Sequence, residues 1–361
     1  MRVLNIFHAL LITNVRTVRS KDRTVGYIIA RPRLQLLLPL FTILTLAFLN
    51  PWVTGHKQCT NCVNWFTIVS RLLATLIVAL LLVFDNFRQR HKVLALLQTI
   101  PSAGSVGGTR SSERYTVKRL QLSMLLLCNL LSLVELLYNV YRTHVYLYIW
   151  GVFTGVIIEY YILLNSLLCQ TLAETIANTY DTLQRALPVR PFSSVIDEMV
   201  VLGRCKDQLS DAIGLKLLLV MMHLLFNISF CAYDILQKIV SQAHMHNIAR
   251  LTIIALQETV VLFGLCFYYS LLTLKEAELK DALKSMQYRQ LQKQTRDQKD
   301  FYDLVNLKLM MASPKITACG LFEINLQIFY NVRHSHNRQC TVSAFKKSFF
   351  SLSLDRCLPP S

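Results

Sequence analysis

A chain of 361 residues is long enough for two or three soluble domains, but 53% of its residues are apolar and only 16% are charged. Soluble domains carry about 25% charged residues, and at a mean hydropathy of +0.39 the polar groups of this chain cannot cover its surface in water. The net charge of +17, from 38 basic against 21 acidic residues, would suit nucleic acid only with a soluble basic domain and base-contacting chemistry. The sequence offers neither, so no nucleic-acid partner is expected and the excess is assigned to basic loops beside anionic lipid.

The chain opens on a weakly apolar stretch, 3–13, that contains Asn5 and His8 and runs into Arg16, Arg19, Lys21 and Arg23. It lacks the small-residue cleavage site of a signal peptide, so residues 1–33 are read as an interfacial or disordered cytoplasmic arm. Six apolar segments follow, at 34–53, 65–84, 120–140, 145–168, 215–236 and 251–272. Each is long enough to cross a hydrocarbon core as a helix, and in lipid every backbone N–H must find its partner within the segment. Pro39 is expected to kink the first. Trp65, Tyr146, Trp150 and Tyr269 fall near span ends, where amphipathic rings favour the interface.

Orientation follows from Lys and Arg in the connections. The arm, 85–119, 169–214 and 273–318 hold about 27 of them, whereas the alternate connections hold Lys57, Arg142, Lys238 and Arg250. The positive-inside rule then places the N-terminus and the long connections in the cytoplasm. Two of these connections have helical patterning. Leu172, Ile176, Tyr180, Leu183 and Leu187 recur at three- and four-residue spacing, and Pro188 and Pro191 separate that stretch from a second one at 193–214. After the sixth span, 275–309 continues without Gly or Pro. Membrane helices that extend into the cytoplasm and pack there are the expectation, with 273–317 as a cytoplasmic helical anchor. Residues 100–112, rich in Pro, Gly and Ser, read as a flexible loop.

Enzyme signatures are missing: the chain has no Walker-type loop, no H-E-x-x-H, no G-x-S-x-G and no dinucleotide fingerprint. No catalytic residue and no cofactor are expected. Ten cysteines are scattered without a disulfide framework. Cys59 and Cys62 form a lone C-x-x-C with His56 as the one further candidate ligand, which suits a local disulfide or free thiols better than zinc. Ionisable groups within spans say more, because a mid-bilayer charge costs about 2.5–3.5 kcal/mol on insertion scales. Arg71, Glu135, Asp234, Gln257 and Glu258 fall in the outer halves and Glu159 deeper, with Asn129, His223 and Asn227 beside them. Arg71 is expected to pair with Glu135 or Glu258. Structural interhelical pairing is one reading. The other is an outward-facing ligand pocket rimmed by Tyr138, Tyr146, Trp150, Phe226, Phe230 and Tyr233, since small-ligand sites combine aromatic walls with a few convergent polar groups.

Residues 316–330 read ITACGLFEINLQIFY. With the N-inside bundle and the long cytoplasmic helix before it, this element resembles the insect gustatory receptor family, in which A-x-G-L-F-x-I-N/D leads into a seventh helix. Ala318, Gly320, Leu321, Phe322, Ile324 and Asn325 occupy the matching positions. FRQRHKVLALL after the second span and LGRCKDQLSDAIGL before the fifth are weaker echoes. The resemblance implies a ligand-gated cation channel of chemosensory neurons, assembled as a homo- or hetero-tetramer in the plasma membrane. Small-molecule tastants would bind in an outward pocket of each subunit, the seventh helices would line the pore, and the cytoplasmic extensions would anchor subunits together.

One departure stands out. The family's seventh helix ends in T-Y, five apolar residues and Q-F, and that pattern does not occur here. The apolar stretch 318–332 is broken by Glu323, Asn325 and Gln327, and the tail 333–361 carries Arg333, His334, His336, Arg338, Lys346 and Lys347. The expected architecture is therefore an all-α polytopic bundle: six full spans within 34–272, long cytoplasmic helix extensions, an incomplete seventh helix and an atypical polar tail. A retained intron or a frameshift would account for the tail, and four such chains would lack a pore wall. The rival readings are a metabotropic seven-helix receptor, disfavoured by the charge bias, and a transporter, disfavoured by the lack of internal repeats. A membrane enzyme is disfavoured by the lack of a cytosol-facing His/Asp or Cys/His cluster.

Overall fold

The computed structural model describes residues 15–19, 25–29, 62–100, 119–121, 123–128, 130, 134, 147–240, 245–291, 317–318 and 322–324. Five helices dominate: α1 (Cys62–Arg88), α2 (Arg90–Thr99), α3 (Leu147–Ala186), α4 (Phe192–Val240) and α5 (Met245–Leu291). Residues 119–121 and 123–128 are helical as well. Two antiparallel ribbons complete the description: β1 (Val15–Arg19) with β2 (Val25–Ile29), and β3 (Thr317–Ala318) with β4 (Phe322–Glu323).

Among the described residues, two helices are long and apolar enough to cross a membrane, Phe192–Val240 and Ile248–Gln287. They contain the predicted spans 215–236 and 251–272. The predicted span 65–84 lies within α1 and 145–168 is helical from residue 147 onward. The segment at 120–140 is helical where described, and 34–53 lies outside the described residues.

The helices exceed what a bilayer needs. α3, α4 and α5 hold 40, 49 and 47 residues, which at about 1.5 Å per residue is roughly twice the hydrocarbon thickness. The two predicted cytoplasmic stretches are thus the C-terminal part of α3 and the N-terminal part of α4. Between them, Val189 and Arg190 both donate backbone N–H groups to Ala186 O at 3.0 Å. Pro188 and Pro191 flank this turn, where the chain can no longer supply helical donors. The predicted stripe Leu172, Ile176, Tyr180, Leu183 and Leu187 is buried throughout, against α4 and the extension of α5, whose Leu279 and Leu283 are also buried. Thr171, Thr175 and Thr179 satisfy their hydroxyls by donating to the carbonyl one turn back, so these polar residues remain within the helix at little cost.

Two short ribbons accompany the helical bundle. Within the arm expected to be interfacial or disordered, β1 pairs with β2 from Val15 opposite Ile29 to Arg19 opposite Val25, and β2 packs against α2. Its VRTVR and VGYII segments are rich in β-branched residues that suit a pleated strand, a signal masked by the basic residues among them. The second ribbon falls within the ITACGLFEINLQIFY element: Thr317 opposes Glu323 and Ala318 opposes Phe322. β3 packs against α4, and Ile324 is buried just after β4. Gly320, Leu321 and Asn325, with the rest of the expected seventh helix and the tail, lie outside the described residues.

Candidate functional site

Arg71 on α1 lies among the ionisable groups gathered between the apolar halves of the described helices, with Arg250 in electrostatic range of Glu159 and Lys238 of Asp234. The Arg71 guanidinium Nη2 lies 3.8 Å from Glu159 Oε1 on α3. Glu258 on α5 and Asp234 and Cys231 on α4 lie within electrostatic range of the same guanidinium. Among the described residues the carboxylate within ion-pair distance of Arg71 is Glu159, and the expected partner Glu258 is in electrostatic range only. Glu135 lies outside the described residues.

The helical phase of α4 accounts for the rest of the cluster. His223 and Asn227 stand one turn apart, so they share a face. Asn227 Nδ2 and His223 Nε2 are 2.9 Å apart and both residues are buried. Asn227 also lies in hydrogen-bonding reach of Glu258, which is 3% exposed. Two acceptors remain open: neither Asn227 Oδ1 nor Glu258 Oε2 has a hydrogen-bond partner among the described residues. Gln257 is buried next to Glu258. Cys128, whose Sγ is 3.9 Å from Ile253 O, borders Glu159 and Glu258.

Of the predicted aromatic rim, Phe226, Phe230 and Tyr233 fall on described parts of α4. Phe226 and Phe230 meet edge to face with centroids 4.4 Å apart. Phe226 and Tyr233 are 38% and 46% exposed, on the flank of α4 that also carries exposed Met222, away from His223 and Asn227. Trp150 lies on α3, and Tyr138 and Tyr146 are outside the described residues. The structure therefore gathers Arg71, Asp234 and Glu258 of the predicted pocket set with Glu159, His223 and Asn227, which the sequence marks as in-span polar groups outside that set. The sequence signal for the additions was available, since 223, 227 and 234 share one face of a 3.6-residue period.

A second polar cluster sits where the spans give way to their extensions. Asn86 Nδ2 donates to Tyr161 Oη and to Asn165 Oδ1, each at 2.9 Å, and Asn86 Oδ1 accepts from Lys216 Nζ. Asp85, one residue beyond the predicted span, is buried with both oxygens unpartnered among the described residues. Burial pushes its carboxyl upward, and the Lys216 charge only partly offsets that. Further along the extensions, Lys206 on α4 meets Glu276 on α5 at 2.7 Å. Lys275 bridges Glu278 at 2.6 Å and Asp181 at 3.3 Å; the hydrogen bond to Glu278 holds its ammonium above the usual range. Tyr180, buried beside this network, has its phenol pushed up by burial. These groups tie α3, α4 and α5 together outside the spans.

Comparison with known proteins rests on the fold. No family model matches the sequence, and no curated protein matches it. The solved structure of the insect olfactory receptor OR5 from Machilis hrabei is similar, with a TM-score of 0.68 over 94% of this chain and 96% of that one, at 12% identity. The two chains share a fold. The likeness spans nearly the whole of both chains.

Proposed function

We propose that this chain is a gustatory receptor subunit, a ligand-gated cation channel that detects small-molecule taste or contact cues at the plasma membrane of chemosensory neurons. The observation that carries the reading is the fold shared with an insect olfactory receptor along 94% of the chain. The ITACGLFEINLQIFY element supplies the gustatory part of it. In this reading the chain crosses the membrane six times from a cytoplasmic N-terminus, residues 273–317 anchor it to neighbouring subunits, and four subunits surround one pore. The Arg71 cluster, bordered by Gln257 and Asp234, is the ligand site. Its buried charges and open acceptors fit a group that expects a partner, because an uncompensated buried carboxylate is costly.

Ligand binding would shift α4 and α5 relative to α1 and α3 and so act on the element that follows α5. The ions move down their own gradients, so no catalytic group is required. Whole-cell recording tests the reading in two forms of the chain, one with its own residues 331–361 and one in which a 20-residue apolar helix replaces them. A ligand-evoked, cation-selective current from either form supports the channel. No current from both forms, with surface expression verified, overturns it. An N-terminal epitope reached by antibody on intact cells would overturn the topology and favour a metabotropic receptor.

A further inference from the structure

Arg88, Arg90, His91 and Lys92 crowd the elbow where α1 and α2 part at Gln89. Val93, Leu96 and Leu97 of α2 are buried towards α4, whereas Arg88, His91 and Lys92 are exposed. Phe84 and Phe87 are exposed beside them, and the Arg90 guanidinium lies 4.6 Å over the Phe87 ring. The depth is that of lipid headgroups. Phe84 ends the predicted span, and Arg88 stands one turn further on, about 6 Å along the helix axis. The headgroup region is roughly 5–7 Å thick on each side of the hydrocarbon. Asn86 accepts from Lys216 at the start of the predicted span on α4, so the two boundaries lie level. The N-terminal ribbon adds to the same place, because β1 and β2 both pack against α2 and β1 contributes Arg16 and Arg19. Neither strand nor α2 contains a carboxylate. Two carboxylates lie near the elbow without cancelling its charge. Asp85 is buried with Lys216 beside it, and Asp211 meets Lys92 at 3.5 Å with both side chains exposed, a pair that water and salt weaken.

We infer that the α1–α2 elbow and the N-terminal ribbon together bind the headgroup of a polyphosphorylated inositol lipid in the cytoplasmic leaflet. Clusters of about four to eight Lys and Arg just cytoplasmic of a spanning helix attract anionic lipid, and Arg16, Arg19, Arg88, Arg90 and Lys92 make such a cluster. All but Lys92 are arginines, whose planar fork takes a phosphate in bidentate fashion. A phosphate monoester carries about 1.5–2 negative charges at pH 7, so a headgroup with several of them engages the cluster as a whole. A phosphatidylserine headgroup, singly anionic, engages one or two of its cations. A soluble inositol phosphate matches the charge but leaves Phe84 and Phe87 unused, whereas these exposed rings at the hydrocarbon edge suit the acyl chains of a lipid.

The leaflet rests on the cytoplasmic N-terminus of the proposed topology, so the test reads binding in micelles, where orientation plays no part. The full-length chain in neutral detergent is titrated with short-chain phosphatidylinositol bisphosphate, with short-chain phosphatidylserine and with the free inositol trisphosphate headgroup. The bisphosphate lipid is expected to bind at least tenfold more tightly than either. Arg88→Gln/Arg90→Gln is expected to lose at least tenfold in affinity for it and Arg16→Gln/Arg19→Gln at least threefold, whereas Arg185→Gln, at the far end of α3, changes nothing. Equal affinity for phosphatidylserine overturns the assignment. So does equal affinity for the free headgroup, which would make the site one for a soluble phosphate, and so does lipid binding that ignores either double variant. The wild-type comparison decides even if a variant fails to fold. No preference for the bisphosphate lipid, with the N-terminus found inside the cell, would sink the lipid site alone. A clear preference with the N-terminus found outside would sink the topology alone.

Discussion

Lys206 Nζ donates to Glu276 Oε2 across 2.7 Å, with side chains 2% and 7% exposed, well beyond the predicted spans. Glu276 has a second cation, Lys280, at 3.2 Å, so the two partners are not equivalent. Removing one member of a buried pair costs about 3–5 kcal/mol when the other is stranded. Glu276→Gln strands Lys206 and is expected to cost that much. Lys206→Met leaves Glu276 paired with Lys280 and substitutes a side chain of similar volume, so its cost should stay under about 1.5 kcal/mol. Thermal unfolding of the detergent-solubilised chain, followed by loss of the monodisperse elution peak, orders the two variants. An equal loss, or a greater one for Lys206→Met, would contradict this account.

Asp85 gives a pH dependence with a definite sign. Burial raises its carboxyl above the ordinary value of 3.8, and Lys216 lowers it by less. A carboxyl that holds its proton more tightly folded than unfolded makes the folded state lose stability as pH rises from its unfolded value through its folded one. Each tenfold change in proton affinity corresponds to about 1.4 kcal/mol. Asp85→Asn removes the titration. The wild type should therefore lose ground to Asp85→Asn between pH 4 and pH 8, as read from unfolding midpoints across that range. A wild type that gains ground as pH rises would show that Lys216 outweighs burial.

The long helices were legible because their periodicity is strong: the stripe from Leu172 to Leu187 and the break at Pro188 and Pro191 appear in the structure as expected. The N-terminal ribbon was not. Five-residue strands carry little periodic signal, and Arg16 and Arg19 directed attention to charge while Val15, Val18 and Ile28 carried the strand. The site was half legible. In-span charge singled out Arg71, Asp234 and Glu258 because lipid makes such groups costly. The partner of Arg71 depends on helix rotation and depth, which span boundaries do not fix. Phe226 stays apart from the cluster for a related reason: Phe226 and Asn227 are adjacent in sequence but about 100° apart around α4, so one faces outward while the other is buried.

Gly264 on α5 marks a close approach. A Cβ there would collide with Gln121 Nε2, lie 3.0 Å from Gln121 Cδ and 3.3 Å from Gln170 Nε2. Gln121 cannot retreat freely, since it is buried and its Nε2 donates to Val260 O at 3.4 Å. Gly264→Ala should cost about 1–3 kcal/mol from overpacking. In the Gly264→Ala/Gln121→Ala double variant most of that cost should disappear, a coupling expected of residues in contact. Unfolding midpoints of the two single variants and the double variant measure it. Simple additivity would place Gln121 away from Gly264.

The Arg71 cluster should respond asymmetrically to loss of charge. Arg71→Met takes the nearby cation from the deeply buried Glu258, whereas Glu159 keeps Arg250 and Asp234 keeps Lys238 in electrostatic range. Glu159→Gln leaves Arg71 with Glu258 and Asp234 still in range. The Arg71–Glu159 pair itself is partly open, with side chains 22% and 38% exposed, so its own contribution is on the order of 1 kcal/mol or less. The larger part of the Arg71→Met cost should come from the buried Glu258, where an unpaired charge costs about 3–5 kcal/mol. It follows that Arg71→Met destabilises more than Glu159→Gln, and that adding Glu258→Gln to Arg71→Met recovers most of the loss. Surface expression and unfolding midpoint of the three variants provide the readout. If the double variant is no more stable than Arg71→Met, then Glu258 is not what Arg71 balances, and the cluster is a simple ion pair between α1 and α3.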